Sequence, residues 1–361
     1  MDKSLQVVVM YLLTHTGLIF FMYPKDIIES LGVGHWSAIL LGFVCHVALI
    51  AVYTKGLGYA RPKSVIDLFQ EMGNVFAIVL LLPVTLYFLM TMIITVRTYS
   101  EIVALVFLAD TSLWAIMVLL LVVSTLISAL GVEALFRTGF LVAILFLPLL
   151  ILVFCLSFQN ADWRYVFPVM DEEAASFSYV LSRPYLLSLF ALTGGFLFLG
   201  FIPPYIPYKR RYVIWASTLL LPLLLISVYA PILTFGQNTA SQFQFPYIAA
   251  VDTVNISWLM FDRVTMFFMI SLISFILLFL SLLMWKTTLL IRRGFPFLGP
   301  ILTKILLAVA LFITCLQIPD WKSVEELFWW NTYLRLYVMI ILPFVTLVLG
   351  IRHHRKGVTW P

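Results

Sequence analysis

The sequence predicts an all-α polytopic membrane protein with about ten transmembrane helices, arranged as a five-plus-five inverted repeat in which helices 1 and 6 are discontinuous. Three observations predict this fold class. The 361 residues are 63% hydrophobic and only 11% charged, whereas a soluble domain is about half apolar and a quarter charged. Apolar runs of about 20 residues recur, which is the length a helix needs to cross a bilayer. Two of these runs are interrupted by glycine at matching positions in the two halves of the chain.

The ten predicted spans follow one another along the whole chain. We place them at about residues 5–29, 36–54, 74–96, 112–130, 138–157, 184–203, 212–234, 263–285, 297–317 and 332–351. Outer-membrane strands would be shorter and would alternate apolar with polar residues, which these runs do not. We expect a single transmembrane domain over residues 1–361, with repeat one at about 1–157 and repeat two at about 184–351. The first span is expected to be retained, because no small-residue cleavage site follows it.

The basic residues predict the orientation. Ten crossings put both ends of the chain on one side of the membrane, and about 15 of the 22 lysines and arginines fall on that side. Cytoplasmic loops carry the excess of Lys and Arg. We therefore predict a multi-pass protein of the cell membrane with both termini in the cytoplasm. Span six then starts on the side opposite to span one, so the second repeat is inverted.

Two outer loops are long, at about 158–183 and 235–262. The first contains the acidic cluster Asp171-Glu172-Glu173. The second becomes amphipathic after Phe245-Pro246, and two interpretations stay open for it: a lid over the outer mouth, or a surface helix at the level of the lipid headgroups. Tryptophans near the proposed outer boundaries are typical of an aromatic belt; they are Trp163, Trp258, Trp321, Trp329 and Trp330.

The two glycine interruptions are His15-Thr16-Gly17 in span one and Thr193-Gly194-Gly195 in span six. A helix broken inside the bilayer exposes N–H and C=O groups, which are tolerated there only against protein or a water-filled cavity. The outer half of span one is expected to begin near Thr16-Gly17, where free N–H groups and the positive end of the helix dipole suit a carboxylate.

The outer half of span six is expected to end near Leu192-Thr193, so its free carbonyl groups can accept hydrogen bonds from an ammonium group. A carboxylate cradle opposite an ammonium cradle predicts a site for an α-amino acid. The alternative is that Gly17, Gly194 and Gly195 only let helices pack closely, since small residues are common at helix interfaces in membranes.

Four further residues are candidates for binding, each with a structural alternative. His15 adjoins the first break and can bond a ligand or be a packed core residue. Glu101 can reach the outer vestibule, or pair with Arg97 one helical turn away. Ser271 and Ser274 are weak candidates for coordinating a small cation, but serines in a membrane helix commonly bond back to their own backbone.

Several classes of function are not indicated. The sequence contains no P-loop, no HExxH motif and no credible Ser/His/Asp arrangement, so we do not expect an enzyme. Cys45, Cys155 and Cys315 lack the spacing of metal ligands and lie in apolar runs, which predicts buried packing residues. We therefore expect no metal and no cofactor. The formal net charge of +5 does not suggest a nucleic-acid partner.

Several stretches together resemble one known family. They lie at residues 13–24 (LTHTGLIFFMYP), 34–41 (GHWSAILL), 97–101 (RTYSE), 131–137 (GVEALFR), 166–170 (VFPVM) and 245–263. Their order and spacing resemble the spore germination permease family, the B subunits of nutrient germinant receptors in endospore-forming bacteria. That family is part of the amino acid–polyamine–organocation transporter superfamily.

The resemblance implies a small nutrient ligand, commonly an amino acid, bound between spans one, three, six and eight. It also implies a complex with an A subunit and a lipoprotein C subunit in the inner membrane of the spore, in which nutrient binding triggers germination. The superfamily's site carries over most directly to Thr16, Gly17, Thr193, Gly194 and Gly195. Span six is poorer in polar residues than the family pattern, which leaves the identity of the ligand open.

The leading hypothesis is a germinant-sensing subunit with a transporter fold. A proton- or sodium-coupled amino-acid transporter is the first alternative, because it would share the fold and the site. An ion or water conduit within a receptor complex is the second alternative. Substrate accumulation in vesicles distinguishes the first alternative, and conductance of the isolated chain distinguishes the second.

Overall fold

The computed structural model of the protein describes residues 2–108, 110–255 and 264–355, and these residues form helices joined by turns and loops, without a strand. The first five spans are Lys3–Ile19 with Tyr23–Ser30, then His35–Ala60, Asn74–Val106, Leu113–Ala129 and Val132–Leu156. Trp258 and the end of the second outer loop lie outside the described residues.

The second five spans repeat this order. Span six is Arg183–Ser188 with Phe190–Thr193 and the 3-10 turn Leu197–Gly200; span seven is Arg210–Thr218 with Leu220–Phe235; span eight is Thr265–Gly294; span nine is Pro300–Leu316. Span ten covers Trp321–Arg355 and includes a π-helical turn at Tyr337–Ile341. The ten spans and the discontinuous helices 1 and 6 confirm the predicted fold class.

Short helices occupy the connections between these spans. On the cytoplasmic side by the predicted orientation lies Val65–Gln70; on the outer side lie Trp163–Val166, Glu172–Ser176, Ser178–Leu181, Gln237–Ala240 and Pro246–Asp252. Polar side chains cap several span starts. Asp2 accepts from the amide of Ser4 at 2.9 Å, and Asp320 accepts from the amide of Ser323 at 2.9 Å. Such caps satisfy amide groups that a helix start leaves without a backbone partner.

The break in span one lies at residues 20–22, about one turn after the predicted position, and the two helices meet there at a bend of 56°. The helix runs straight through Gly17 to Ile19. Pro24 explains the shift, because a proline inside a helix lacks an N–H and clashes with the carbonyl four residues earlier. A proline carries no such cost in the first turn of a helix, which is where Pro24 lies here.

Gly17 instead provides a close contact with span eight. A Cβ atom on Gly17 would lie 3.1 Å from Ile276 Cδ1 and 3.3 Å from Phe275 Cβ. Span eight is the most completely buried of the long spans, and it packs against spans one, three, four and five. The first break is therefore held against the most buried element of the bundle.

Three predictions of burial or placement are wrong. Cys45 and Cys155 are exposed, and only Cys315 is buried; in a bundle surrounded by lipid, an exposed helix face is apolar too. Lys286 was placed just beyond the end of span eight, but its side chain is fully buried inside the span. The reason is that span eight extends to Gly294, several residues beyond its predicted end.

Candidate functional site

The helix before the first break packs against the second break. The hydroxyl of Thr14 donates to the Met10 carbonyl of its own helix at 2.9 Å and lies 3.4 Å from the Gly195 carbonyl. A Cβ atom on Gly195 would lie 2.4 Å from Cε1 of the His15 ring, and one on Gly194 would lie 3.1 Å from Leu18 Cδ1. The structure thus brings His15 and the Gly194-Gly195 pair together, although they are about half a chain apart in sequence.

The carbonyl of Gly17 is released by the break in span one. The amide of Phe21 donates to Leu18 at 3.3 Å rather than to Gly17, and the hydroxyl of Tyr99 donates to the Gly17 carbonyl at 2.7 Å. The Tyr99 ring also stacks on Phe21 with 4.6 Å between centroids. Sequence analysis missed Tyr99 as a site residue, although it lies in a polar run of span three, Thr98-Tyr99-Ser100.

The carbonyls near the second break are likewise held by hydroxyl groups. Tyr53 donates to the carbonyl of Leu197 at 3.3 Å, and Tyr208 donates to that of Leu199 at 3.4 Å. A buried carbonyl without a partner costs free energy comparable to a lost hydrogen bond. Hydroxyl groups from spans two and three and from the segment after span six therefore stabilise the broken backbone.

The amide groups at the start of the outer half of span one are different. Among the described residues, the amides of Met22 and Tyr23 have no backbone hydrogen bond, and Pro24 has no N–H to offer. These amides belong to the N-terminus of Tyr23–Ser30, where a helix presents unpaired N–H groups and a partial positive charge. The unpaired amides that were predicted near Thr16-Gly17 thus lie at residues 22–23.

His15 belongs to a buried polar group with Tyr11, His46 and Ser217. The Nδ1–H of His15 donates to the Tyr11 carbonyl at 2.8 Å, which leaves Nε2 as an acceptor without a partner in the described parts of the chain. Ser217 donates to the Val213 carbonyl at 2.9 Å. The Tyr11 hydroxyl therefore donates to Ser217 at 2.8 Å and accepts from His46 Nε2 at 2.8 Å. The two imidazole rings lie 5.0 Å apart.

The other hydroxyl candidates bond to their own helices. Thr16 donates to Leu12 at 2.8 Å, Thr193 to Leu189 at 2.7 Å, Ser271 to Phe267 at 2.7 Å and Ser274 to Ile270 at 2.8 Å. These bonds correspond to the structural alternative for the two serines. Thr16 and Thr193 still lie at the breaks, and both are buried.

Glu101 is not brought to the breaks. Its carboxylate pairs with Arg97 at 2.7 Å, and Arg97 also donates to the carbonyl of Ile318 at 3.3 Å. Glu101 follows Tyr99 by two residues, which turns its side chain about 200° around the helix from the face that contacts Gly17. The geometry corresponds to the structural alternative, a pair one helical turn apart.

Three buried ionisable residues were not among the predicted site residues. Arg335 in span ten donates to the carbonyls of Leu186 and Leu187 in the outer half of span six, at 2.9 and 2.8 Å. Asp26 is buried in the outer half of span one. Lys286 lies 4.2 Å from the centre of the Phe88 ring. Ionisable residues inside a membrane are functional candidates by default, and placing the end of span eight correctly would have revealed Lys286.

Aromatic side chains close the outer side of the first break. Tyr247, from the outer-loop helix Pro246–Asp252, contacts Phe20 with 4.7 Å between ring centroids and Phe268 with 5.1 Å. Phe154 of span five stacks on Phe20 at 4.8 Å. The second outer loop therefore packs directly onto a residue of the break.

Comparisons with known proteins agree with this architecture. A family described as spore germination protein matches residues 3–320. No curated protein sequence matches the chain at a significant level. Among solved structures, MhsT in complex with L-phenylalanine has a TM-score of 0.69 and 13% sequence identity, over 98% of each chain. At that identity the likeness shows the fold alone, which is a transporter fold built from inverted repeats.

Proposed function

Because the chain belongs to the spore germination protein family, we propose that it is the membrane subunit of a nutrient germinant receptor in the inner membrane of the spore. It would bind a small nutrient at the breaks of spans one and six, and act together with A and C subunits. One observation carries the proposal: the unpaired amides of Met22 and Tyr23 and the released carbonyl of Gly17 lie at the break of span one, and the helix just before that break contacts Gly194 and Gly195 at the break of span six.

The ligand that suits these groups is an α-amino acid with an apolar side chain. Its carboxylate would accept from the amides of Met22 and Tyr23, at the positive end of a helix dipole. Its ammonium group would donate to the carbonyl of Gly17 and to a carbonyl of span six. Side chains near the breaks are mostly apolar, including Phe21 and Phe279. The complex of MhsT with L-phenylalanine supports the same ligand class.

Binding would exchange one set of hydrogen bonds for another. The Tyr99 hydroxyl holds the Gly17 carbonyl, whereas the Thr14 hydroxyl near the Gly195 carbonyl donates within its own helix. A ligand ammonium group would replace the Tyr99 hydroxyl at Gly17, and it can shift the conformation only by its difference in affinity for the two states. Tyr247 contacts the break through Phe20, so the second outer loop can transmit the shift to partner subunits.

Tyr99→Phe tests this exchange, with Tyr53→Phe as the matched control. Both variants remove a buried hydroxyl that holds a carbonyl of a broken span, but only Tyr99 competes with the proposed ammonium group. We expect the best-binding amino acid to bind Tyr99→Phe about fivefold more tightly than the wild type, since a hydrogen bond contributes about 1 kcal/mol net. Tyr53→Phe should bind within about twofold of the wild type.

The measurement is a titration of the full chain in nanodiscs with the amino acid. Binding is detected as a change in the thermal unfolding of the protein. Unchanged or weaker binding by Tyr99→Phe would remove Gly17 from the site.

The fold shared with MhsT also makes coupled transport the second candidate function. Accumulation of the same amino acid in proteoliposomes, driven by a proton or sodium gradient, would establish transport.

A further inference from the structure

A strongly basic cavity lies at the end of the bundle where span two ends and span seven begins. Its volume is about 740 Å³, within the range of roughly 300–1,000 Å³ that small-molecule sites occupy. Five cationic side chains line it: Lys55, Arg61, Lys209, Arg210 and Arg211. Among the described residues, no acidic side chain lines this cavity. Like charges gathered around one space repel each other, which favours an anion between them.

Several other cations on the same face have carboxylate partners. Lys63 pairs with Glu71, Arg293 with Asp67, and Arg137 with Glu133. In the part of the chain that the structure describes, the five cations of the cavity have no such ion pair. A general excess of Lys and Arg on the cytoplasmic side explains why these side chains are positive, but it does not explain why five of them, all without a carboxylate partner, line one cavity.

Two of the arginines are held in place by the backbone. Arg61 donates to the carbonyl of Tyr208 at 2.8 Å and lies over its ring at 4.9 Å. Arg210 donates to Thr54 at 3.2 Å and to the carbonyl of Ala51 at 3.0 Å. These bonds connect the end of span two with the segment that follows the broken span six. The cavity therefore has fixed guanidinium groups, which suit the oxygens of a phosphate.

We propose that this cavity binds a phosphate group, which the headgroup of an anionic lipid or a free phosphate compound would supply. The occupant would neutralise the cations of both walls and thereby join span two to the segment after span six. Basic pockets of membrane proteins on the cytoplasmic side bind lipid headgroups by this chemistry. The inference does not depend on the nutrient site, since it concerns other residues and another ligand.

A matched pair of triple variants tests the proposal on the full chain. The cavity variant carries Lys55→Gln, Lys209→Gln and Arg211→Gln, whose side chains make no hydrogen bond within the described residues. The control variant carries Arg137→Gln, Arg293→Gln and Arg355→Gln, which also removes three positive charges but lies outside the cavity. Single variants Lys55→Gln and Arg211→Gln give the effect of one charge in a minimally altered protein.

Two arms distinguish the sources of the phosphate. In the first arm, native mass spectrometry measures how much of the anionic lipid dioleoylphosphatidylglycerol stays bound to the protein, compared with the zwitterionic lipid dioleoylphosphatidylcholine. We expect about fivefold weaker retention of the anionic lipid by each single variant than by the wild type, and about 100-fold weaker retention by the cavity variant than by the control variant. In the second arm, inorganic phosphate is titrated into lipid-free, detergent-solubilised protein and thermal unfolding is followed.

Loss of lipid retention in the cavity variant alone supports a lipid headgroup as the source. Stabilisation of the wild type by inorganic phosphate, lost in the cavity variant alone, supports a free phosphate compound. Equal lipid retention by both triple variants, together with no effect of phosphate on the wild type, overturns the proposal. The same conclusion follows if the single variants bind both probes like the wild type.

Discussion

At the scale of single residues, hydroxyl and imidazole side chains stabilise a backbone that is broken inside the membrane. Tyr99 and Tyr53 hold carbonyls near the two breaks, and His15 fills the space beside Gly195. The sequence predicted His15 and the glycines because polar and small residues are unusual in such apolar runs. It did not predict Tyr99, because its partner Gly17 lies 82 residues away in the chain and the contact depends on how two spans pack.

The contact between His15 and Gly195 makes a prediction about stability. Gly195→Ala would place a Cβ atom 2.4 Å from the His15 ring, and we expect a loss of about 1–3 kcal/mol in the free energy of unfolding, as for overpacked cores. Adding His15→Ala should recover at least about 1 kcal/mol in a double-mutant cycle. The measurement is equilibrium unfolding of the four proteins in a membrane mimetic.

Gly58→Ala is the control for this cycle, because nothing lies within 4 Å of a Cβ atom at Gly58. Alanine is the better helix former, so this variant should be as stable as the wild type or up to about 1 kcal/mol more stable. Additive effects of Gly195→Ala and His15→Ala would show that the two residues are not in the contact that the structure describes.

At the scale of elements, proline fixes the break of span one and glycine fixes that of span six. Gly194-Gly195 lies at the break of span six as predicted, between Thr193 and Leu197. The first break was predicted one turn too early, because Gly17 was interpreted as the interruption. A sequence does not show whether a glycine ends a helix or admits a neighbouring side chain, and here Ile276 is that neighbour.

Pro24→Ala tests whether binding of the amino acid depends on the break at residues 20–22. The new amide at residue 24 can bond to the carbonyl of residue 20, which favours a continuous helix and internal partners for the amides of Met22 and Tyr23. We expect about tenfold weaker binding of the amino acid, since the carboxylate would lose two charge-assisted hydrogen bonds in part of the population. The measurement is the titration used for Tyr99→Phe.

Pro148→Ala is the matched control, since Pro148 also lies inside a span but away from both breaks. It should leave the affinity for the amino acid within about twofold of the wild type. If both proline variants bind the amino acid like the wild type, the amides of the first break do not hold its carboxylate.

At the scale of the whole molecule, composition and spacing predicted the ten spans and the inverted-repeat fold. Ten apolar runs are strong signals, because almost every residue of a span contributes to them. The ends of spans are weaker signals, so Lys286 was placed just outside span eight although it is buried. The cavity at the end of span two depends on the packing of segments about 150 residues apart, which no local pattern shows.

The predicted orientation is a property of the whole chain that experiment can test directly. The excess of Lys and Arg on the proposed cytoplasmic side remains when Lys286 and Arg335 are left out, so both termini should be cytoplasmic. A green fluorescent protein fused after the last residue should fluoresce, and alkaline phosphatase at the same position should be inactive. The opposite pair of results would invert the topology and place the basic cavity on the outer side.

The central claim is that the two breaks hold the carboxylate and the ammonium group of one α-amino acid. The most direct measurement is the binding of a panel of amino acids to the full chain in nanodiscs, alone and with the proposed A and C subunits. The N-acetyl and α-amide derivatives of the best ligand are measured in the same way. The account predicts that one free amino acid binds and that each derivative binds at least about 100-fold more weakly, because a buried polar group of the site is left unpaired. Equal binding of the derivatives, or no binding of any amino acid by the chain or the complex, would contradict it.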